Sequence, residues 1–215
     1  MARKRPAETA LATARKLYDL DYDIHWIKAA VLGNKKTGKA PIGENKGAWG
    51  RTERYGWAEL EKKYREGLNL GFQPGSTSGG IFVIDFDWTN EEDKAEGRAL
   101  LRNWLGDLEP TAYSGGGGEH YHLRSSKDIP NVVLWNVKNA HNEIRIIADG
   151  GNCVLPPSIH WQGGTYRWGT REVTKASRKL LSAIESVRPV DHGDADIEVG
   201  KPVSLKGLPR ELVDL

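Results

Sequence analysis

The stretch Gly80-Ile81-Phe82-Val83-Ile84-Asp85-Phe86-Asp87-Trp88 constrains this chain more than any other. A β-branched and aromatic run reads as a buried strand, and it ends in two acids one residue apart. Side chains alternate along a strand, so Asp85 and Asp87 share one face. Two carboxylates side by side repel unless a cation sits between them. Oxygen donors in that arrangement suit Mg²⁺ or Mn²⁺. Taken alone, the same residues also describe a strand running into an acidic turn.

With 215 residues and a net charge of +2, the chain is long enough for one large domain with tails. Its charge does not mark it as a nucleic-acid binder, although Lys35, Lys36 and Lys39, and Arg3-Lys4-Arg5, form local basic clusters. Cys153 is the single cysteine, which excludes an internal disulfide and any cysteine-based zinc knuckle. No apolar run approaches a membrane span, and the N-terminus does not read as a signal peptide, so a cytoplasmic protein is expected. Eight tryptophans suit core and rim packing, with some available to stack on bases.

Helical spacing covers Ala7 to Leu20 after Pro6, Trp57 to Arg65, and Val173 to Val187. Thr89 is placed to cap a helix from Asn90 to Trp104, whose first turn carries Glu91, Glu92 and Asp93. Strands are expected over Tyr22 to Val31, Leu68 to Phe72, Gly80 to Phe86, Ala112 to Tyr113 and Glu119 to Leu123. Four more follow, over Asn131 to Val137, Glu143 to Ile147, Asn152 to Leu155 and Thr165 to Trp168. Gly33 to Gly50 reads as a polar loop. Residues 188–215 carry several Pro and Gly and read as a tail or linker, leaving 1–187 as the folded domain. Helices mixed with strands, without strict alternation, give an α+β class.

Three further segments carry chemistry. Ser114-Gly115-Gly116-Gly117-Gly118-Glu119-His120-Tyr121-His122 joins a glycine run, able to bring N–H groups to a phosphate, to two histidines on one strand face. A hairpin turn with incidental histidines is the plainer alternative. Asn142-Glu143-Ile144-Arg145-Ile146-Ile147 puts an acid and a base on one strand face. Glu143 is thus a candidate third metal ligand and Arg145 a phosphate contact, or the two form a surface ion pair. Leu155-Pro156-Pro157-Ser158-Ile159-His160 holds Ser158 and His160 at the stiffened end of a strand.

In order, these segments resemble the primase-polymerase (Prim-Pol) domain of the archaeo-eukaryotic primase superfamily, found in replication proteins of plasmids, phages and other mobile elements. The family's D-x-D strand matches Val83-Ile84-Asp85-Phe86-Asp87. Its Ser-Gly-Gly-x-His motif matches Ser114 through His120. Its acid with Arg two residues on, its Gly-Gly turn and its Pro-Pro-Ser with His match Glu143-Ile144-Arg145, Gly150-Gly151 and Pro156-Pro157-Ser158-Ile159-His160. Gly38-Lys39-Ala40-Pro41 resembles the Lys-x-Pro segment, and Asn69-Leu70-Gly71-Phe72 the strand before the acids. The resemblance spans about residues 7 to 170. Three departures stand out. The third acid is Glu where Asp is usual, and extra residues precede the Gly-Gly turn, so Asp149 competes with Glu143. The glycine run is long, so His122 competes with His120. The cysteine zinc element of some relatives is missing.

The resemblance implies a small N-terminal α/β unit packed on an RRM-like mixed sheet with flanking helices, with the site in the cleft between. It implies a template-dependent nucleotidyltransferase with DNA primase and polymerase activity. Two divalent ions, Mg²⁺ or Mn²⁺, would be held by Asp85, Asp87 and Glu143. His120 would hold the incoming triphosphate beside Ser114, Gly116 and Gly117, with Arg145, Ser158, His160 and Lys39 as further phosphate or sugar contacts. The implied partners are a single-stranded DNA template, a primer and NTP or dNTP, with a C-terminal or separate helicase; no membrane is involved. Two rivals remain. An HUH-type replication initiator endonuclease would use His120-Tyr121-His122 with a tyrosine nucleophile, but leaves the acids unexplained. A non-catalytic single-stranded DNA-binding module would stack bases on the tryptophans, and also leaves the acids unexplained.

Overall fold

The computed structural model describes residues 9–42, 51–137 and 142–187. The expected tail at 188–215, Pro6 and the Arg3-Lys4-Arg5 cluster lie outside them. Among the described residues, four α-helices and two sheets form an α+β fold, as the sequence led us to expect.

The smaller sheet holds β1 (Asp23–Ile27), β2 (Asn69–Gln73) and β8 (Cys153–Leu155), all antiparallel in that order. Helices α1 (Ala10–Asp19) and α2 (Trp57–Lys63) cover it. Thr9 caps α1 by accepting from the Ala12 N–H at 3.2 Å. The N-terminal unit is therefore not one contiguous segment, because its third strand comes from more than eighty residues downstream.

The larger sheet runs β6 (Val132–Asn136), β7 (Glu143–Ile147), β3 (Ile81–Asp87), β5 (Glu119–Arg124), β4 (Ala112–Tyr113), β9 (Arg167–Trp168). These pairs are antiparallel, while β10 (Thr174–Lys175) adds a short parallel pairing to the end of β5. Helices α3 (Glu91–Leu105) and α4 (Arg178–Ser186) pack on one face.

Alternation along β3 explains how the two layers meet. Phe82, Ile84 and Phe86 point to the helices and join a core with Leu101, Leu180 and Ile184. Ile81 and Val83 point the other way, into a second core with Ile24, Trp26, Leu70 and Phe72 of the small sheet. Asp85 and Asp87 continue that second face past the point where the small sheet covers it. Gly97 lets α3 close onto β3, since a Cβ there would meet the Phe86 ring at 2.4 Å.

Three local expectations change. Asn90, not Thr89, caps α3: its Oδ1 accepts from the Asp93 N–H at 2.9 Å. Thr89 instead donates its N–H to Asn142 Oδ1 at 2.5 Å, tying the helix start to β7. The last helix starts at Arg178 rather than Val173, because Thr174 and Lys175 pair with Leu123 and Arg124 and Ser177 then caps α4. The first strand ends at Ile27. Beyond it the chain leaves the sheet for a loop pinned by Thr37 Oγ1 on the Val31 N–H, and Val31 and Leu32 stand exposed at its tip.

Candidate active site

Two neighbouring strands, β3 and β7, bring the acids together, and a third, β5, adds a histidine. In the register, Asp85 lies opposite Arg145 on β7 and His120 on β5, and Asp87 lies opposite Glu143. Directly opposite residues of antiparallel strands share a face, so all five side chains line the cleft face of the large sheet. Asp149 sits beyond the other end of β7. There its Oδ1 accepts from the Ser76 N–H at 2.9 Å and from the Ser76 hydroxyl at 2.6 Å. The acid facing Asp87 is thus Glu143.

The charges within this group are unbalanced. Burial raises the Asp85 carboxyl, but its hydrogen bond with His120 and the nearby cations Lys39 and Arg145 more than offset that, leaving it below the usual range. His120 Nε2 lies 3.2 Å from Asp85 Oδ1. Burial opposes charge on His120, but Cys153 and Asp85 hold it protonated well above the usual histidine value. Asp87 is pushed up to about 7 by burial first, then by Asp85 and Glu143, against the pull of His120 and Lys39. Glu143 is met by Arg145 at 2.6 Å, the same-face ion pair anticipated for this strand. The protein's own cations therefore leave Asp87 short of neutralisation. Asp85, Asp87 and Glu143 share one sheet face, and carboxylate oxygens are the donors that hard divalent cations such as Mg²⁺ or Mn²⁺ take.

The glycine run forms a closed loop beside the acids. Ser114 accepts from the Gly118 N–H through its hydroxyl at 2.9 Å, and its own N–H donates to the Gly118 carbonyl at 2.8 Å. Gly117 has φ +102°, a conformation that favours glycine. Gly118 lies so near Asp87 that a Cβ would be 2.2 Å from its Oδ1. Gly116 and Gly115 pack against His160, which donates its N–H to the Gly164 carbonyl at 2.7 Å. The His160 imidazole is held below its ordinary value by burial and then by Lys39. Lys39 is exposed, yet its charge reaches Asp85, Asp87 and His160.

Two motif residues are occupied structurally. Ser158 is buried, and its hydroxyl both accepts from the Leu70 N–H at 2.8 Å and donates to the Leu70 carbonyl at 3.1 Å. It ties the Pro-Pro turn to β2 and has no face on the cleft. His122 is 1% exposed, with Nδ1 3.0 Å from the Tyr22 hydroxyl. Burial, then the charge on His120, keeps it neutral with a pKa of about 3.

Other contributors were not singled out from the sequence. Tyr166 is buried with its ring 6.1 Å from His120 and 6.0 Å from His160. Burial first, then Asp85, Cys153 and Asp87, raise its phenol. Asn152 accepts from or donates around two supports, meeting His25 Nε2 at 3.0 Å through Oδ1 and giving Nδ2–H to the Lys39 carbonyl at 3.2 Å. The only sequence signal for Tyr166 is its place after Gly163-Gly164. A hollow of about 400 Å³ lined by Val133, Arg145, Ile147, Gly151 and Asn152 opens beside Arg145. No described helix is long and apolar enough to cross a membrane.

A family model described as "Bifunctional DNA primase/polymerase, N-terminal" matches residues 7–180. No curated protein matches the chain.

Proposed function

The chain belongs to the Prim-Pol family of bifunctional DNA primase/polymerase N-terminal domains, and from that premise we propose that it is a template-dependent nucleotidyltransferase working by two-metal phosphoryl transfer. The observation that carries the reading is the register of β3 between β5 and β7, which aligns Asp85 with His120 and Asp87 with Glu143 on one face. Asp85, Asp87 and Glu143 are the metal ligands in this reading. Two divalent ions bound there would lower the pKa of the attacking 3′-hydroxyl and stabilise the leaving oxygen.

The protein's own groups do the positioning. His120, held protonated, donates to the phosphates of the incoming NTP or dNTP from the side of Asp85. The Gly116 and Gly117 N–H groups cradle the same chain of phosphates. Ser114 shapes that loop through its hydrogen bonds to Gly118. Lys39 and His160 close the other wall, and Arg145 releases Glu143 to turn toward a phosphate or sugar once the acids are neutralised. Ser158 acts as a positioning residue through its grip on β2. The hollow beside Arg145 offers a path for the primer and single-stranded DNA template. A replication role in a mobile element and a helicase partner belong to this reading as well.

The HUH alternative needs both histidines open to a metal beside DNA, and His122, 1% exposed and held behind β5 by the Tyr22 hydroxyl, is closed to DNA. It also needs a tyrosine nucleophile, and α4 has none. The deciding experiment is incorporation of labelled nucleotides on unprimed and primed single-stranded templates with Mg²⁺ or Mn²⁺. Products on both are expected. An Asp85→Ala/Asp87→Ala double variant, folded by circular dichroism, should lose them by about 1,000-fold or more, because metal stabilisation of the transition state is worth several kcal/mol. Undiminished extension by that variant would remove the acids from the mechanism.

A further inference from the structure

Behind the acids, three side chains converge that are not oxygen ligands. His120 and His122 share one face of β5, and Cys153 comes from β8 of the small sheet. One nitrogen of each imidazole and the Cys153 Sγ all lie within 4.8 Å of one another. All three residues are buried, at 6%, 1% and 2% exposure. Cys153 Sγ and His120 Nδ1 are 3.4 Å apart, close to the roughly 3.5 Å that two such ligands span across a tetrahedral zinc ion.

The outward nitrogens are held as well. His120 Nε2 is on Asp85, and His122 Nδ1 is on the Tyr22 hydroxyl at 3.0 Å. A metal-binding histidine characteristically gives its second ring N–H to an oxygen in this way. With Nδ1–H donated to Tyr22, His122 keeps a lone pair on Nε2. That atom is buried and has no hydrogen-bond partner among the described residues, a situation that costs about 1–3 kcal/mol if nothing answers it.

We propose that His120, His122 and Cys153 form a binding site for a borderline-soft divalent ion, zinc above all, separate from the oxygen site of Asp85, Asp87 and Glu143. Two imidazoles and a thiolate select such an ion over Mg²⁺ or Mn²⁺. One cysteine cannot build a zinc knuckle, but it completes this three-donor set, leaving one tetrahedral position for water. On binding, the Cys153 thiol and the Nδ1 of the protonated His120 ring each lose a proton to solvent, and the sulfur and that nitrogen take the metal in place of the protons. The ion would cross-link β5 to β8, the two sheets that form the cleft, and would hold His120 with its Nε2–H toward Asp85. The inference stands whether or not the acids transfer nucleotides.

The test is a titration of the chelator-stripped chain with Co²⁺, followed by Zn²⁺. One equivalent of Co²⁺ should bind with a thiolate-to-cobalt charge-transfer band in the near ultraviolet, and Zn²⁺ should displace it while excess Mg²⁺ does not. Cys153→Ser should abolish the band. Tyr22→Phe keeps all three ligands and removes only the oxygen behind His122; it should keep the band and bind roughly 10-fold more weakly. The Asp85→Ala/Asp87→Ala variant should keep the band, which separates this site from the acid cluster. A wild-type chain without the band, or a band that survives in Cys153→Ser, overturns the proposal. If Cys153→Ser does not fold, the wild-type band and the Tyr22→Phe affinity decide, and unchanged affinity in Tyr22→Phe counts against the site.

Discussion

On β3, the side chains of Phe82, Ile84 and Phe86 face α3 and α4, while those of Ile81, Val83, Asp85 and Asp87 face the small sheet and the cleft. The helix side is apolar along its whole length. The cleft side is apolar only where the small sheet covers it, and then becomes charged. Both sides obey the same alternation, yet one stores stability along its whole length and the other ends in charge. Clustered carboxylates are tolerated because they sit where the small sheet ends and solvent or a cation can reach them. Placed four residues earlier, at Ile81 and Val83, the same acids would be buried in a dry core at a cost of several kcal/mol each.

The contrast can be broken most forcefully at Phe86. Phe86→Ala empties the space beneath Gly97 of α3, and urea denaturation should register a loss of about 3–5 kcal/mol. The folded fraction should still incorporate nucleotides within an order of magnitude of wild type. A stability loss under about 1 kcal/mol, well below the usual cost of truncating a buried aromatic, would mean the helix side is not the store of stability.

On the cleft side the effects should reverse. Gly118→Ala would drive a methyl to 2.2 Å from Asp87 Oδ1 and displace that carboxylate. Nucleotide incorporation should fall roughly 100-fold, the scale of an ångström of misplacement, while the melting temperature stays near that of wild type. A large drop in melting temperature with normal incorporation by the folded protein would show that the glycine loop belongs to the core.

The smallest effect tests the dry, polar margin of the small sheet. His25 is buried, and burial, then Arg51, lowers its pKa from 6.5 to about 3 against the help of Asn152 and the Asp23 backbone. Above pH 6.5 it is neutral in both folded and unfolded chains and contributes no pH slope. Between 6.5 and about 3 the unfolded chain binds the extra proton, so stability falls as pH falls, by up to about 1.4 kcal/mol per pH unit. His25→Gln should flatten that slope when urea midpoints at about pH 7 and about pH 5 are compared. An identical slope in the variant would assign the acid sensitivity to other groups.

Much of this was legible in the residues themselves. Period-two alternation in Gly80 to Trp88 put Asp85 and Asp87 on one face, and the ordered motifs pointed to the family that the match over residues 7–180 bears out. The strand and helix segments were largely visible, because strong apolar periodicity is a local property. Errors fell at boundaries. The expected first strand ran on to Val31, which stands exposed in a loop, and the expected last helix began at Val173, where Thr174 and Lys175 are instead drawn into a pairing with β5. In both places a long-range partner, or its absence, overrode local preference.

By itself, then, the chain of residues determined the class of fold, the shared face of the two acids and the chemistry that face can support. Only the tertiary structure decided which acid stands opposite Asp87, which histidine meets Asp85, that the Ser158 hydroxyl is spent on β2, and that Cys153 arrives beside His120 and His122. Each of those depends on strand order and register between segments 30 to 90 residues apart. Alternation says which face a side chain takes, but not which neighbour it meets there. That is settled by the packing of two cores against one strand.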